Sequence, residues 1–274
     1  MKIDIPKALK TKQEVFKWLK ENEDDIVYQK KSELKKADGF TSPTTQLQGL
    51  ETTEVLKDGT SVVTKADSIP GQVKVRAIIN TTMVRDSHKD VHITGLWKKS
   101  LKENKRLKHL QEHKMTFASI IADKDDLKAF TKTYSWKDLG YNVEGETEAL
   151  VFDSTIKETR NNFMYHEYKN ENVDNHSVGM YYVDMKMAMN SDAEGDEKYK
   201  AVYDKYINDI ANKDEVERDG FFFAVLEAKA IEGSAVPIGS NQITPTITTS
   251  KTKKELSDIQ KTEVSKALEK WLKG

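Results

Sequence analysis

Three short segments of this 274-residue chain carry side chains able to do hydrolytic chemistry. The first is His109-Leu-Gln-Glu112-His113. On a helix, histidines at i and i+4 stand about 6 Å apart, close enough to share a zinc ion with the glutamate as base. On a strand they stand about 13 Å apart at ~3.3 Å per residue and cannot share an ion. Residues 106–113 suit either structure, so this zinc-hydrolase reading turns on which one forms. The second segment is His176-Ser177-Val178-Gly179. A serine with a glycine two residues on can present its hydroxyl at a turn beside backbone N–H groups able to hold an oxyanion. Ordinary turns share that pattern. The third is Glu232-Gly233-Ser234, with Glu227 earlier in the same apolar run. An acid in such a run is either exposed at an edge or paired. Taken together, the segments hold a histidine, a serine and an acid. A serine hydroxyl needs a base to take its proton, and the base needs a third group to fix its tautomer. The chain has no cysteine, which removes thiol nucleophiles, thiolate metal sites and disulfides.

These segments need elements to position them. Val73, Val75, Ala77 and Ile79 alternate with Lys74, Arg76 and Ile78 and predict a strand, as do residues 141–151, 177–187 and 221–236. Short helices are expected at 97–104 and 160–171. Residues 191–219 read as an insertion. Tyr199, Val202, Tyr203, Tyr206, Ile207 and Ile210 recur there at helical spacing, which suits a packing face. Asp90 is expected to shape a turn, and His88, His92 and His166 to lie at the surface. Thr11 and Glu14 form a capping box that opens a helix over about 11–35. Residues 38–72 and 239–252 are linker-like, and Thr252 with Glu255 opens a second amphipathic helix. The division is therefore a helical arm and linker at 1–72, a strand-rich body at 73–245, and a C-terminal helix at 246–274.

Charge and hydropathy narrow the classes. Lys plus Arg number 44 and Asp plus Glu 45, a net charge of −1. That balance argues against specific nucleic-acid binding. The longest strongly apolar run, 221–226, is far too short to span a bilayer, and no signal peptide is visible, so a soluble intracellular protein is expected.

Over residues 73–245 the sequence resembles the prohead (capsid-maturation) serine proteases of tailed bacteriophages, distant relatives of the herpesvirus assemblins. Val84-Arg-Asp-Ser-His-Lys-Asp90-Val-His-Ile-Thr-Gly95 is similar to an early D-x-x-G-D-V-I-x-x-G segment, with Ser87-His88-Lys89 where a glycine-containing turn is expected. Leu96 to Asn104 is similar to the short helix that follows it. Leu107 to His113 resembles a strand ending in a catalytic histidine. Leu139 to Glu146 is similar to a G-L-x-V-x-G strand. His176-Ser177-Val-Gly-Met-Tyr181 resembles L-S-I-G-Y, whose serine is the nucleophile. Ala230-Ile-Glu232-Gly-Ser-Ala-Val-Pro237 resembles a last strand that carries an acid.

The resemblance implies a mainly β, α+β fold: a closed, mostly antiparallel β-barrel with surrounding helices and helical terminal arms. It implies a catalytic set of His113, Ser177 and Glu232, with Glu227 and His176 as substitutes for the third member, and no cofactor or metal. It puts 106–113 in a strand, against the His109/His113 zinc reading. It implies a self-cleaving endopeptidase that acts inside the assembling prohead in the host cytoplasm. Its substrates and partners would be the scaffolding protein and the major capsid protein or its scaffold-like arm, with self-association and without a membrane. The alternative within the same resemblance is a non-catalytic capsid-assembly protein with a degenerate site.

Overall fold

The computed structural model describes residues 3–36, 54–55, 61–62 and 69–249. Residues 250–274 of the expected C-terminal segment and most of the 38–72 linker lie outside them, while Thr246–Thr249, expected in linker and C-terminal helix, form a strand paired with the body. The chain opens with α1 (Lys12–Glu21) and α2 (Glu23–Ser32). The expected capping box is present: Glu14 N–H donates to Thr11 Oγ1, and the Glu14 carboxylate accepts from Thr11 N–H. The single helix expected over 11–35 is instead broken at Asn22. Its Nδ2 donates to the Trp18 carbonyl at 2.8 Å, a local bond that competes with helix continuation. A minor antiparallel pair, β1 (Glu54–Val55) and β2 (Ser61–Val62), follows.

The body then runs β3 (Gln72–Thr81), β4 (Asp90–His92), α3 (Lys98–Glu103), β5 (Lys108–Gln111), β6 (Ile120–Asp123), β7 (Leu127–Ser135) and β8 (Glu146–Lys157). It continues through α4 (Asn162–Lys169), β9 (His176–Met189), α5 (Glu197–Tyr206), α6 (Lys213–Asp219), β10 (Phe221–Ala235) and β11 (Thr246–Thr249). Among the described residues the strands form two main sheets, ordered β11-β3-β8-β7 and β4-β10-β5-β6, with β9 also paired to β10. Pairing is antiparallel except where β10 runs parallel to β4 and β5. The architecture is thus α+β with mainly antiparallel sheets.

The two sheets share one core. Val75, Ala77 and Ile79 of β3 and Leu150 and Phe152 of β8 bury against Val178 and Met180 of β9 and Phe223 and Val225 of β10. The backbone approach is tightest at Gly233, where an added Cβ would stand 2.6 Å from Phe152 and 2.9 Å from Ile79. A side chain there would push the sheets apart directly beside Glu232.

The N-terminal helices are part of this packing. Phe16 and Leu19 of α1 and Ile26 of α2 bury in the main core. Lys30 is fully buried and pairs with buried Asp90, and its Nζ also donates to the His88 carbonyl at 3.1 Å. An ion pair in so dry a place holds α2 on the body, because either charge alone would be uncompensated. Asp90 was expected in a turn. It sits instead in β4, fixed by Lys30 and by Tyr182, whose hydroxyl donates to it at 2.8 Å. The turn before it is shaped by Asp86, which accepts the N–H groups of His88 and Asp90. The expected surface histidines His88 and His92 are buried, while His166 is exposed. The 191–219 segment packs its tyrosines inward: Tyr199 and Tyr203 are buried, and Tyr199 donates to Glu23 of α2 at 2.6 Å.

Candidate active site

The site lies where the C-terminal half of β10 meets β5 on one side and the start of β9 on the other. Glu232 is opposite Gly179, Gly233 opposite Val178, and Ser234 opposite Ser177. Alternation then puts Glu232, Ser234, Ser177 and Gly179 on one face and Gly233 and Val178 on the core face. On β10's other edge, Ser234 pairs with Leu110 and Ala235 with Gln111.

β5 ends in an abrupt turn. Glu112 and His113 are consecutive non-glycine residues with φ of 53° and 55°. The left-handed region costs such residues about 1–2 kcal/mol each, and strain of this kind persists only where neighbours hold it. The neighbours here are Ala235, whose carbonyl accepts the Glu112 N–H at 2.9 Å, and Ser234, whose Oγ accepts the His113 N–H at 3.1 Å. The turn takes His113 out of the strand and lays its ring against Glu232. His113 Nδ1 is 2.6 Å from Glu232 Oε1, with both residues buried. An ionised carboxylate only accepts, so Nδ1 carries the proton and Nε2 holds the lone pair. Ser234 Oγ–H completes the seat by donating to Glu232 Oε2 at 2.5 Å.

Gly179 makes room for that carboxylate. A Cβ at this position would stand 2.0 Å from Glu232 Oε1 and 2.8 Å from its Cδ. The serine-x-glycine pattern thus has a use beyond a turn: the glycine, on β9, is the floor under the acid.

Ser177 is buried on β9, one strand over from Ser234, which touches both Glu232 and His113. Directly opposed strand residues have Cβ atoms about 4.5–5.5 Å apart. Ser177 also lines a small cleft together with Lys35, Lys36, Asn80, Met180 and Tyr182. Ser177 thus shares a strand face with Glu232 and Ser234, and His113 contacts both of the latter. The two substitutes do not join them. Glu227 faces Lys99 at 3.0 Å, and His176 points into the core.

His109 also goes elsewhere. A regular strand would give it the face of His113, but the turn at 112–113 breaks that alternation. His109 and His176 belong to a closed interior chain. His176 Nδ1 donates to the Thr244 carbonyl at 2.9 Å, so its Nε2 accepts from Tyr168 Oη at 2.9 Å. Tyr168 Oη in turn accepts from His109 Nε2 at 3.0 Å, and His109 Nδ1 accepts from Ser154 Oγ at 2.9 Å. Burial holds both imidazoles neutral, lowering His176 to about 4 and His109 well below its ordinary value. His109 and His113 are engaged in separate networks and do not face a common ion.

Asp86, His88 and Asp90 are the described residues that bring three ligand-type atoms within 4.8 Å. The Lys30 ammonium and the Tyr182 hydroxyl already occupy Asp90. In the resembling motif a glycine precedes the second aspartate. Here Lys89 takes that left-handed position, with φ of 65°, and its Nζ binds Asp219 at 2.5 Å.

Sequence reasoning missed Ser234 as a support and Gly179 as the carboxylate's seat. The alternation of Glu232-Gly-Ser234 was the available signal for the first. The second required the cross-strand register. No family model, no curated protein and no solved structure matches this chain. Among the described residues, no helix is long and apolar enough to cross a membrane.

Proposed function

We propose that this chain is a serine endopeptidase of the prohead-maturation type, and that its two stacked sheets are the flattened walls of that family's β-barrel. The observation that carries the reading is the buried Glu232–His113 contact, set beside Ser177 across a strand pair. In this reading His113 Nε2 takes the Ser177 Oγ proton as the oxygen attacks the scissile carbonyl. The same nitrogen then returns the proton to the leaving amine. Glu232 holds the ring in the required tautomer and stabilises the imidazolium. Ser234 keeps the carboxylate's second oxygen in place. Water then repeats the sequence on the acyl-enzyme. The substrates in this reading are the scaffolding protein and the scaffold-like arm of the capsid protein, and the setting is the prohead in the host cytoplasm.

Co-expression of the full chain with scaffolding and capsid protein tests the proposal. Wild type should shorten the substrates and itself, and Ser177→Ala should leave all of them intact. Continued cleavage by Ser177→Ala would rule out Ser177 as nucleophile.

A further inference from the structure

After α2 the chain does not leave the body. Lys35 forms an isolated antiparallel bridge with Met180, three residues past Ser177. Its N–H donates to the Met180 carbonyl at 2.8 Å, and the Met180 N–H donates back at 3.2 Å. An added strand of this kind is a common way for proteins to hold an extended peptide. Because the pairing is antiparallel, the chain at Lys35–Lys36 runs along β9 in the direction of Gly179 and Ser177. The next side chain follows that course: Lys36 Nζ donates to the carbonyl of His113 at 3.4 Å.

The Lys35 side chain enters the cleft that Ser177 lines. It is 3% exposed, and its Nζ has no hydrogen-bond partner among the described residues. It lies 5.5 Å from the Tyr182 ring centroid. Asn80 Oδ1, another lining atom, is likewise buried without a partner. Asp86 lines the same cleft. An ammonium buried with no hydrogen bond to the described body around it is poor architecture for a residue that only packs. Burial accordingly lowers the Lys35 ammonium below its usual value.

We propose that Glu33–Lys36 is a built-in stand-in for substrate: peptides bind as an extended strand antiparallel to the start of β9, with a lysine or arginine side chain in the cleft between Asn80, Asp86 and Tyr182. The chain's own arm occupies this edge first and must be displaced before another peptide can enter. The cleft is thus the specificity pocket, and Lys35 its resident ligand. The inference rests on the proposed protease reading for its biological sense, but peptide binding itself needs no catalysis.

The test therefore uses full-length protein in a Ser177→Ala background. The probe is a fluorescent peptide spanning residues 32–41 of this chain, followed by anisotropy. Lys35→Glu in the protein should weaken the arm's hold and tighten peptide binding about tenfold, because the apparent affinity scales with the fraction of open sites. Lys35→Met, which keeps the aliphatic stem, should do the same more mildly and guards against misfolding of the glutamate variant. A peptide carrying Glu in place of Lys35 should bind neither variant. Equal binding of the lysine and glutamate peptides, or no binding to any of these proteins, would overturn the proposal. Failure of the protease reading would show differently, as intact Ser177 that never acylates in a protein that still binds the lysine peptide.

Discussion

Two histidine clusters lie on opposite faces of the same three strands, and they differ in one component. The interior cluster links His109, Tyr168 and His176 between Ser154 and the Thr244 carbonyl, and every ring nitrogen in it has a partner. No carboxylate joins it, so burial keeps its imidazoles neutral. The outer cluster sets His113 against Glu232, with Ser234 on the second oxygen. A carboxylate at 2.6 Å can stabilise an imidazolium, and a neutral chain cannot. The residues involved are neighbours in sequence: His176 beside Ser177, and Gly233 beside Glu232. The alternation of a strand alone sends one of each pair to the core face and the other to the face of the His113–Glu232 contact.

The sharpest way to break the comparison is to remove the charge that distinguishes the clusters. Glu232→Gln should lower the rate of substrate cleavage by about 10³-fold or more, because an amide can stabilise neither the required tautomer nor the imidazolium. Glu227→Gln, whose partner is Lys99, should leave the rate nearly unchanged. Single-turnover cleavage of a scaffold-derived peptide reads both. Gly179→Ala comes next. Its Cβ would overlap Glu232 Oε1, so the carboxylate must move away from His113. Cleavage should fall at least about 100-fold, since misplacement by an ångström suffices for that. Ser234→Ala should cost less, about tenfold in kcat, by loosening the carboxylate it holds. One buried acceptor on Glu232 loses its donor there, with an expected stability loss of about 1–3 kcal/mol measured by urea denaturation.

The buried neutral imidazoles should answer to pH rather than to substrate. His176 of the interior cluster and His92, which contacts Asn80 and Tyr182, have folded pKa values lowered to about 4 from 6.5. The unfolded chain therefore binds more protons between those values. Their contribution is fully present above about pH 6.5 and is lost as pH falls toward 4, by up to roughly 3 kcal/mol each. Urea midpoints should drop over that window. In a His176→Gln variant the drop should be shallower and the cleavage rate per folded molecule nearly unchanged. A pH profile of stability identical in wild type and His176→Gln would mean that this imidazole is not held neutral.

Much of this arrangement was legible in the sequence, and the limits have physical causes. The strands at β3, β9 and β10 stood out because their alternating or continuous apolar runs are long. β8 was expected at 141–151 and runs instead over Glu146–Lys157, because residues 141–145 form a bend before it. β7 did not stand out, because it is a half-exposed strand of mixed Lys, Thr and aromatic residues with little contrast between faces. β4 and β6 are too short to show a period. The arm's attachment was invisible, since Lys30 and Lys35 are residue types that usually face water and only the fold gives them buried places. The break at Glu112–His113 was equally hidden. Nothing in those residue types calls for left-handed backbone, and only the anchors on Ser234 and Ala235 require it.

The central claim is that Ser177 is a nucleophile activated by His113 and Glu232, and active-site labelling tests it most directly. The full-length protein, treated with a fluorophosphonate and mapped by mass spectrometry, should carry one adduct on Ser177. The adduct should be lost in Ser177→Ala and form much more slowly in Glu232→Gln. Absence of any adduct on the folded wild type, or an adduct on Ser234 instead, would contradict the account.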